Sequence, residues 1–268
     1  MKDIVISPVY DSIREEIEEL RKQLSDSLFE LDQLRLVVCV NIETEYMLEL
    51  GDLEIKLFKA ECDYLRLKRK LELIQKDVNM MKDIDIDEIE KQLDEEFISF
   101  KEEFDKKMNM FNKALYRNEL EDLSDTDQVE LKGLYRKIVK RLHPDMNPDL
   151  SQEELKMFLN AVYAYKNGDL KALRLIWRVI EDDEEYDAYD SLDGLKQLKM
   201  QLEDSIDETA IRIDEIKSHY PYLYKDILED KNKVRELRNE YEKQLKDYDT
   251  ASISLQSRID NLLSRRYC

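Results

Sequence analysis

The stretch 131-LKGLYRKIVKRLHPDMNPD-149 decides how this chain reads. Leu131, Leu134, Tyr135, Ile138 and Leu142 recur at three- and four-residue steps, the spacing of one buried helix face. Between them stand Lys132, Arg136, Lys137, Lys140 and Arg141, five cations within ten residues and no acid among them. Then comes His143-Pro144-Asp145, where the proline lacks a backbone donor and disfavours helix at the residue before it. The helix is therefore expected to end near Leu142 or His143. Pro148 keeps the loop open to Ser151, which with Glu154 forms a capping-box pattern that starts the next helix. Beyond it, Gly168 and Asp169 are the C-cap of that helix and the N-cap of a further one.

Composition extends the helical reading to the whole chain. In 268 residues, 40% are charged and there are only 4 glycines and 4 prolines, the profile of long helices and coiled coils. The fold class expected is all-α, a small central helical module flanked by long antiparallel helical hairpins or coiled coils. From Tyr10 to about Met81, one apolar seam passes through Ile17, Leu24, Leu31 and Val38, and a second through Leu53, Leu57, Leu67, Leu71 and Val78. Gly51 lies between them and leaves a kink, a turn or an unbroken helix open, and the seam changes register near Ile42 to Leu50. A helix from about Ile86 to Leu120 carries Ile89, Leu93, Phe97, Phe100, Phe104 and Phe111 on one stripe, suited to the return arm of a hairpin. That stripe reads as core before it reads as a client-binding surface. Later helices are expected over about Ser191 to His219 and Tyr222 to Arg265, the latter roughly 65 Å long at the usual rise. A helix of that length needs a partner for its apolar stripe: the 191–219 helix, the N-terminal helices or a second copy. The segments expected are an arm over 1–111, a module over 112–180, an acidic linker over 181–190 and a hairpin over 191–268.

Charge narrows the function classes. The net charge of −20 disfavours nucleic acid as a partner. Thr126 to Arg178 nonetheless carries 10 Lys+Arg against 7 Asp+Glu, a basic island suited to an acidic protein surface. A merely solvated helix face in so acidic a chain would be expected to carry Glu partners four residues away. Cys39, Cys62 and Cys268 have no metal-ligand spacing, and their odd count points to a reducing compartment. The longest apolar run, Leu36 to Val40, is too short to cross a membrane. Residues 1–10 show no cationic start with an apolar core, so a cytoplasmic protein is expected. His143 as a base or metal ligand lacks a surrounding cluster, and no nucleophile, base and orienter constellation is visible; no catalytic residue, cofactor or metal site is expected. Trp177 is expected to seal the central module.

The central stretch resembles the J domain of DnaJ-type co-chaperones, in which a basic helix leads into a His-Pro-Asp loop and a following helix. Leu131, Lys132, Tyr135, Arg136, Lys137, Ile138 and Lys140 stand where that family carries the same or a similar residue. Phe158, Ala161, Ala164 and Tyr165 reproduce its spacing after the loop. The family's opening Tyr-x-x-Leu-Gly-Val is reduced to Tyr116 and Leu120, with Glu121 and Asp122 where Gly-Val would be. The usual fourth-helix motif is replaced by LKALRLIWRVIE after Asp169. The resemblance spans roughly residues 112–180 and implies a co-chaperone that stimulates ATP hydrolysis by a DnaK-type heat-shock chaperone. Lys132, Arg136, Lys137, Lys140 and Arg141 would dock on the acidic ATPase domain, and His143, Pro144 and Asp145 would reach its interdomain linker. The arms would dimerise, capture a client or tether a target; the family's zinc-finger and Gly/Phe-rich regions are absent, which favours a restricted client. The alternatives are a coiled-coil scaffold whose module has lost its chaperone, and an acidic nucleic-acid or cytoskeletal accessory protein.

Overall fold

A computed structural model describes residues 8–119, 123–181 and 192–264, and these are all-α, with no strand among them. Helix α1 (Pro8–Gln33) passes through a single π turn at Leu34–Val38 into α2 (Cys39–Asn79). Then follow α3 (Ile86–Glu96), α4 (Ile98–Asn118), α5 (Asp125–Leu142), α6 (Gln152–Lys166) and α7 (Leu170–Ile180). The last are α8 (Leu192–Lys217), the short α9 (Lys225–Leu228) and α10 (Lys231–Ser264). The chain divides into two compact units, one from Met1–Asn41 and Glu121–Leu223, the other from Ile42–Leu120 and Tyr224–Cys268. The acidic block expected as a linker, from Asp182 onward, lies outside the described residues, as does Cys268.

In the first unit, α5, α6 and α7 form a three-helix module; α1 packs on α5, and α8 packs on α1. Each module helix starts and stops where the local chemistry says it should. The Ser124 hydroxyl accepts from Asp127 N–H at the start of α5. Ser151 and Glu154 make the complete capping box at the start of α6. At the end of α6, Gly168 adopts φ +69°, and the Asp169 and Gly168 N–H groups donate to Ala164 and Tyr165 carbonyls, a Schellman closure. Asp169 then caps α7 through Ala172 N–H. Leu131, Tyr135, Ile138 and Leu142 are buried as the spacing requires, Val139 joins them, and Leu134 is only partly covered.

The pairing of the long helices was open in the sequence, and α1 takes α8. Ile17, Leu24 and Leu28 of α1 share the core with Leu195 and Leu202 of α8. Lys199 reaches Glu16 at 2.5 Å and Lys217 reaches Glu30 at 2.9 Å, so these two helices run parallel rather than as antiparallel arms.

In the second unit, α2 and α3–α4 form the expected antiparallel hairpin. Phe58 faces Phe100, Glu54 meets Lys107 at 2.5 Å, and Glu90 lies between Arg66 and Lys70. Helix α10 lies along α2 in the same direction, with the Tyr46 and Tyr241 hydroxyls 3.1 Å apart, Tyr64 against Tyr248, and Ile74 buried with Ile259. The aromatic stripe of α3–α4 is therefore packing surface against α2. Two boundaries differ from the sequence reading. The expected 86–120 helix is interrupted at Phe97, whose ring stacks on Phe100 at 5.0 Å. The expected 222–265 helix is divided at Asp230 into α9 and α10.

Gly51, left open between a kink, a turn and an unbroken helix, is now decided. Helix α2 runs through it unbroken, and the register change falls earlier, at the π turn, where Cys39 N–H reaches back five residues to the Leu34 carbonyl. Gly51 is there for space. A Cβ at this position would stand 2.9 Å from the Phe111 ring and 3.2 Å from Met47 Sδ. Gly133, in α5, has nothing within 4 Å of an added Cβ. Gly133→Ala should therefore gain the full helix preference of alanine, about 1 kcal/mol. Gly51→Ala should lose more through the displaced ring than it gains, and its denaturation midpoint should fall below that of the parent chain. Urea unfolding of the two variants checks both signs.

Candidate functional site

The site is the C-terminal half of α5 and the loop that follows. Tyr135 and Tyr165 stack at 4.1 Å with planes 5° apart, and His143 meets Phe158 edge-on at 5.0 Å. Positions that ascend in α5 thus face positions that descend in α6, so the two helices are antiparallel and the His-Pro-Asp loop is the turn between them. Phe29 of α1 closes the stack, 6.4 Å from each tyrosine ring. Tyr116, the expected remnant of the helix before the module, is exposed at the end of α4 in the other unit, and Leu120, Glu121 and Asp122 lie outside the described residues. The aromatic partner of the Tyr135–Tyr165 pair is Phe29, distant in sequence.

Hydrogen bonds within the loop hold its shape. The α5 helix closes with His143 N–H donating to the Val139 carbonyl, and the His143 carbonyl accepts from both Met146 and Asn147 N–H groups. The Asn147 amide donates to the Arg141 carbonyl at 2.9 Å, which satisfies an end of α5 that has lost its helical donors. Asn147 escaped the sequence reading; a short amide just past the His-Pro-Asp triplet is the residue type that bonds nearby backbone. His143 Nδ1 accepts the Asp145 backbone N–H at 3.1 Å, so the neutral ring carries its proton on Nε2. Burial lowers the pKa of this imidazole, against the raising influence of Asp145 and Asp32.

The five cations take three different settings. Lys132 and Lys140 are exposed on the stripe that also holds Arg136, at four-residue steps. The Arg136 guanidinium lies 4.6 Å from the centre of the Phe29 ring and 3.6 Å from Asp26 of α1. The Lys137 ammonium sits 5.3 Å over the ring of Trp177, which is partly buried against the module. Arg141 is half-buried and leans toward the Glu181 carbonyl at 3.5 Å. Lys132, Arg136 and Lys140 thus share one stripe, while Lys137 turns to Trp177 and Arg141 to the end of α7. The loop's outermost acid is not free: Arg212 of α8 holds the Asp145 carboxylate at 3.1 Å. Arg212 is the one cation between Glu203 and Glu215, a signal that was present but unassigned.

Below the loop, the Tyr135 hydroxyl donates to Asp32 at 2.6 Å. Burial raises the pKa of Asp32, and the bond from Tyr135 opposes that rise. The Tyr165 hydroxyl is buried with no hydrogen-bond partner among the described residues, and burial pushes its pKa up to about 12. No group of three His, Cys, Asp or Glu placed to hold a metal ion occurs among the described residues. Cys39 is buried and Cys62 half-buried.

These environments generate two predictions. Tyr135→Phe strands the Asp32 carboxylate and should cost about 1–3 kcal/mol, while Tyr165→Phe removes an unpaired buried hydroxyl and should be neutral or stabilising. Thermal unfolding of both separates them. For His143 the folded pKa lies below the ordinary 6.5, so folding disfavours its proton. Its neutral form matches the fold above pH 6.5, and stability is lost as pH falls through the lowered folded value. Between pH 7 and pH 5.5, set to straddle that ordinary value, the melting temperature of the parent chain should fall more steeply than that of His143→Gln. Equal slopes would show that another group dominates.

No protein-family model matches this chain, and no curated protein and no solved structure matches it.

Proposed function

We propose that this chain is a J-type co-chaperone that docks on a DnaK-type heat-shock chaperone and accelerates its ATP hydrolysis. The observation that supports the reading is the exposed α5 stripe of Lys132, Arg136 and Lys140 leading into the His143–Asp145 turn, which is held in shape by Asn147, His143 and Phe158. In a protein of net charge −20, such a face is a directed surface for an acidic protein partner. Lys132, Arg136, Lys137, Lys140 and Arg141 make the electrostatic contact, and His143, Pro144 and Asp145 reach the partner's interdomain linker. The effect on the partner is a population shift: binding favours its hydrolysis-competent conformation, and this chain performs no chemistry itself.

The long helices give the module its target. They dimerise, bind a client or tether the chaperone. No helix among the described residues is long and apolar enough to cross a membrane, which is in keeping with a cytoplasmic place of action beside the chaperone. A second reading, a coiled-coil scaffold whose module engages no chaperone, draws on the Asp145–Arg212 pair, which occupies the loop from within the chain.

Steady-state ATP hydrolysis by the chaperone, with this chain titrated in, tests the proposal. The parent chain should stimulate, His143→Gln should abolish stimulation, and Lys140→Ala/Arg141→Ala should raise the half-maximal concentration about five- to thirtyfold, as the loss of two contact charges allows. Added salt should weaken the parent chain's effect. Absence of stimulation by the folded parent chain would leave the scaffold as the better reading.

A further inference from the structure

We propose that α1 and α8 form an internal clasp on this docking face, so that the chain holds its own His-Pro-Asp loop and basic helix in a restrained state until a partner competes for them. The inference rests on the co-chaperone reading and adds its regulation.

Three observations converge. The first is Arg212, 67 residues beyond Asp145, whose Nη1 lies 3.1 Å from Asp145 Oδ2. The loop does not need that bond for its shape, because Asn147 closes α5, the His143 ring packs on Phe158, and the Asp145 contribution to the turn is its backbone N–H. The Asp145 carboxylate is therefore a group left over from folding and engaged by a distant helix. The second is the facing of opposite charges. Arg136, Lys137 and Lys140 line a cleft of about 880 Å³ together with α1, which contributes four acids, Glu15, Glu18, Glu19 and Asp26, against two cations, Arg14 and Lys22. An acidic helix surface set against the basic face is the electrostatic counterpart expected of a partner's docking surface. The third is the secondary pairing of Arg212 with Glu208, one helical turn away on α8, at 3.5 Å. When Arg212 leaves Asp145 its charge still has a carboxylate, so release strands no cation.

The magnitude makes this a restraint. The side chains of Asp145 and Arg212 are 36% and 47% exposed, and those of Asp26 and Arg136 51% and 56%. Pairs so exposed are weak, and each reduces apparent affinity only by the fraction of time it occupies the site. Helix α1 itself is anchored by Phe29 in the aromatic stack, so opening exchanges side-chain partners and does not unseat α1.

The test uses the full chain with Arg212→Gln, Asp26→Asn and the double variant, all far enough exposed to leave the core intact. Two readouts are taken: stimulation of the chaperone's ATP hydrolysis, and amide hydrogen exchange over residues 143–149. Each single variant should lower the half-maximal concentration about two- to fivefold, the double about the product, and Arg212→Gln should speed exchange in the loop. Adding His143→Gln to any of them should remove stimulation. Because Arg212→Gln deletes a cation, simple charge attraction to an acidic partner predicts the opposite sign, weaker stimulation. Stimulation by the parent chain with no gain, or a loss, in Arg212→Gln and Asp26→Asn overturns the clasp and leaves the co-chaperone reading standing. Absence of stimulation in the parent chain and in every variant overturns the co-chaperone reading, and the regulatory role falls with it even where loop exchange rises.

Discussion

Burial of Tyr135 against Tyr165 is the contact on which the first unit depends. The two rings are almost parallel and fully enclosed, and they fix the alignment of α5 on α6. Aromatic pairs of this kind contribute beyond the area they bury, roughly 0.5–1.5 kcal/mol. Tyr135 brings a hydroxyl that must be satisfied in a low-dielectric interior, and Asp32 of α1 supplies the acceptor. Phe29, one helical turn before Asp32, closes the rings from the same side. A helix from the start of the chain is thereby built into a module formed by residues 125–180, and its acidic face is brought to the cations of α5.

That arrangement places opposite charges in contact without burying them deeply. Fully buried ion pairs would be costly to form and costly to break. Partly exposed ones, as at Asp145–Arg212 and Asp26–Arg136, exchange partners easily. Lys137 and Arg136 resting on Trp177 and Phe29 keep their charge while part of their stems is covered. A charged surface built this way is available to a competitor of matching charge, the property that the proposed function requires.

The second unit is held by different means. Its core is thin, and the ends of its helices are joined by tyrosine contacts and cross-helix ion pairs such as Arg69–Glu96, whose carboxylate is held well down, to about 2, by the guanidinium and by Gln92. Gly51 lets the Phe111 ring approach the α2 backbone, so a glycine whose role the sequence left open is a packing device. Close approach by an aromatic ring leaves no trace in the sequence around a glycine.

Local chemistry was legible in the sequence. The capping box at Ser151, the Gly168 closure, the Asp169 cap, the end of α5 at His143 and the buried stripe from Leu131 to Leu142 all follow from short-range sterics and periodicity, which act within a few residues. So did the stripe of Lys132, Arg136 and Lys140, because a single helix sets their four-residue spacing. What the sequence could not decide is which stripe meets which. Parallel pairing of α1 with α8 and of α10 with α2, the entry of Phe29 and Asp32 into the module, and the hold of Arg212 on Asp145 all join residues far apart in the chain. Many of the apolar seams here are alike in length and composition, so each could have closed on several others. Only the simultaneous burial of all of them, with enclosed groups such as the Tyr135 hydroxyl finding acceptors, selects one arrangement.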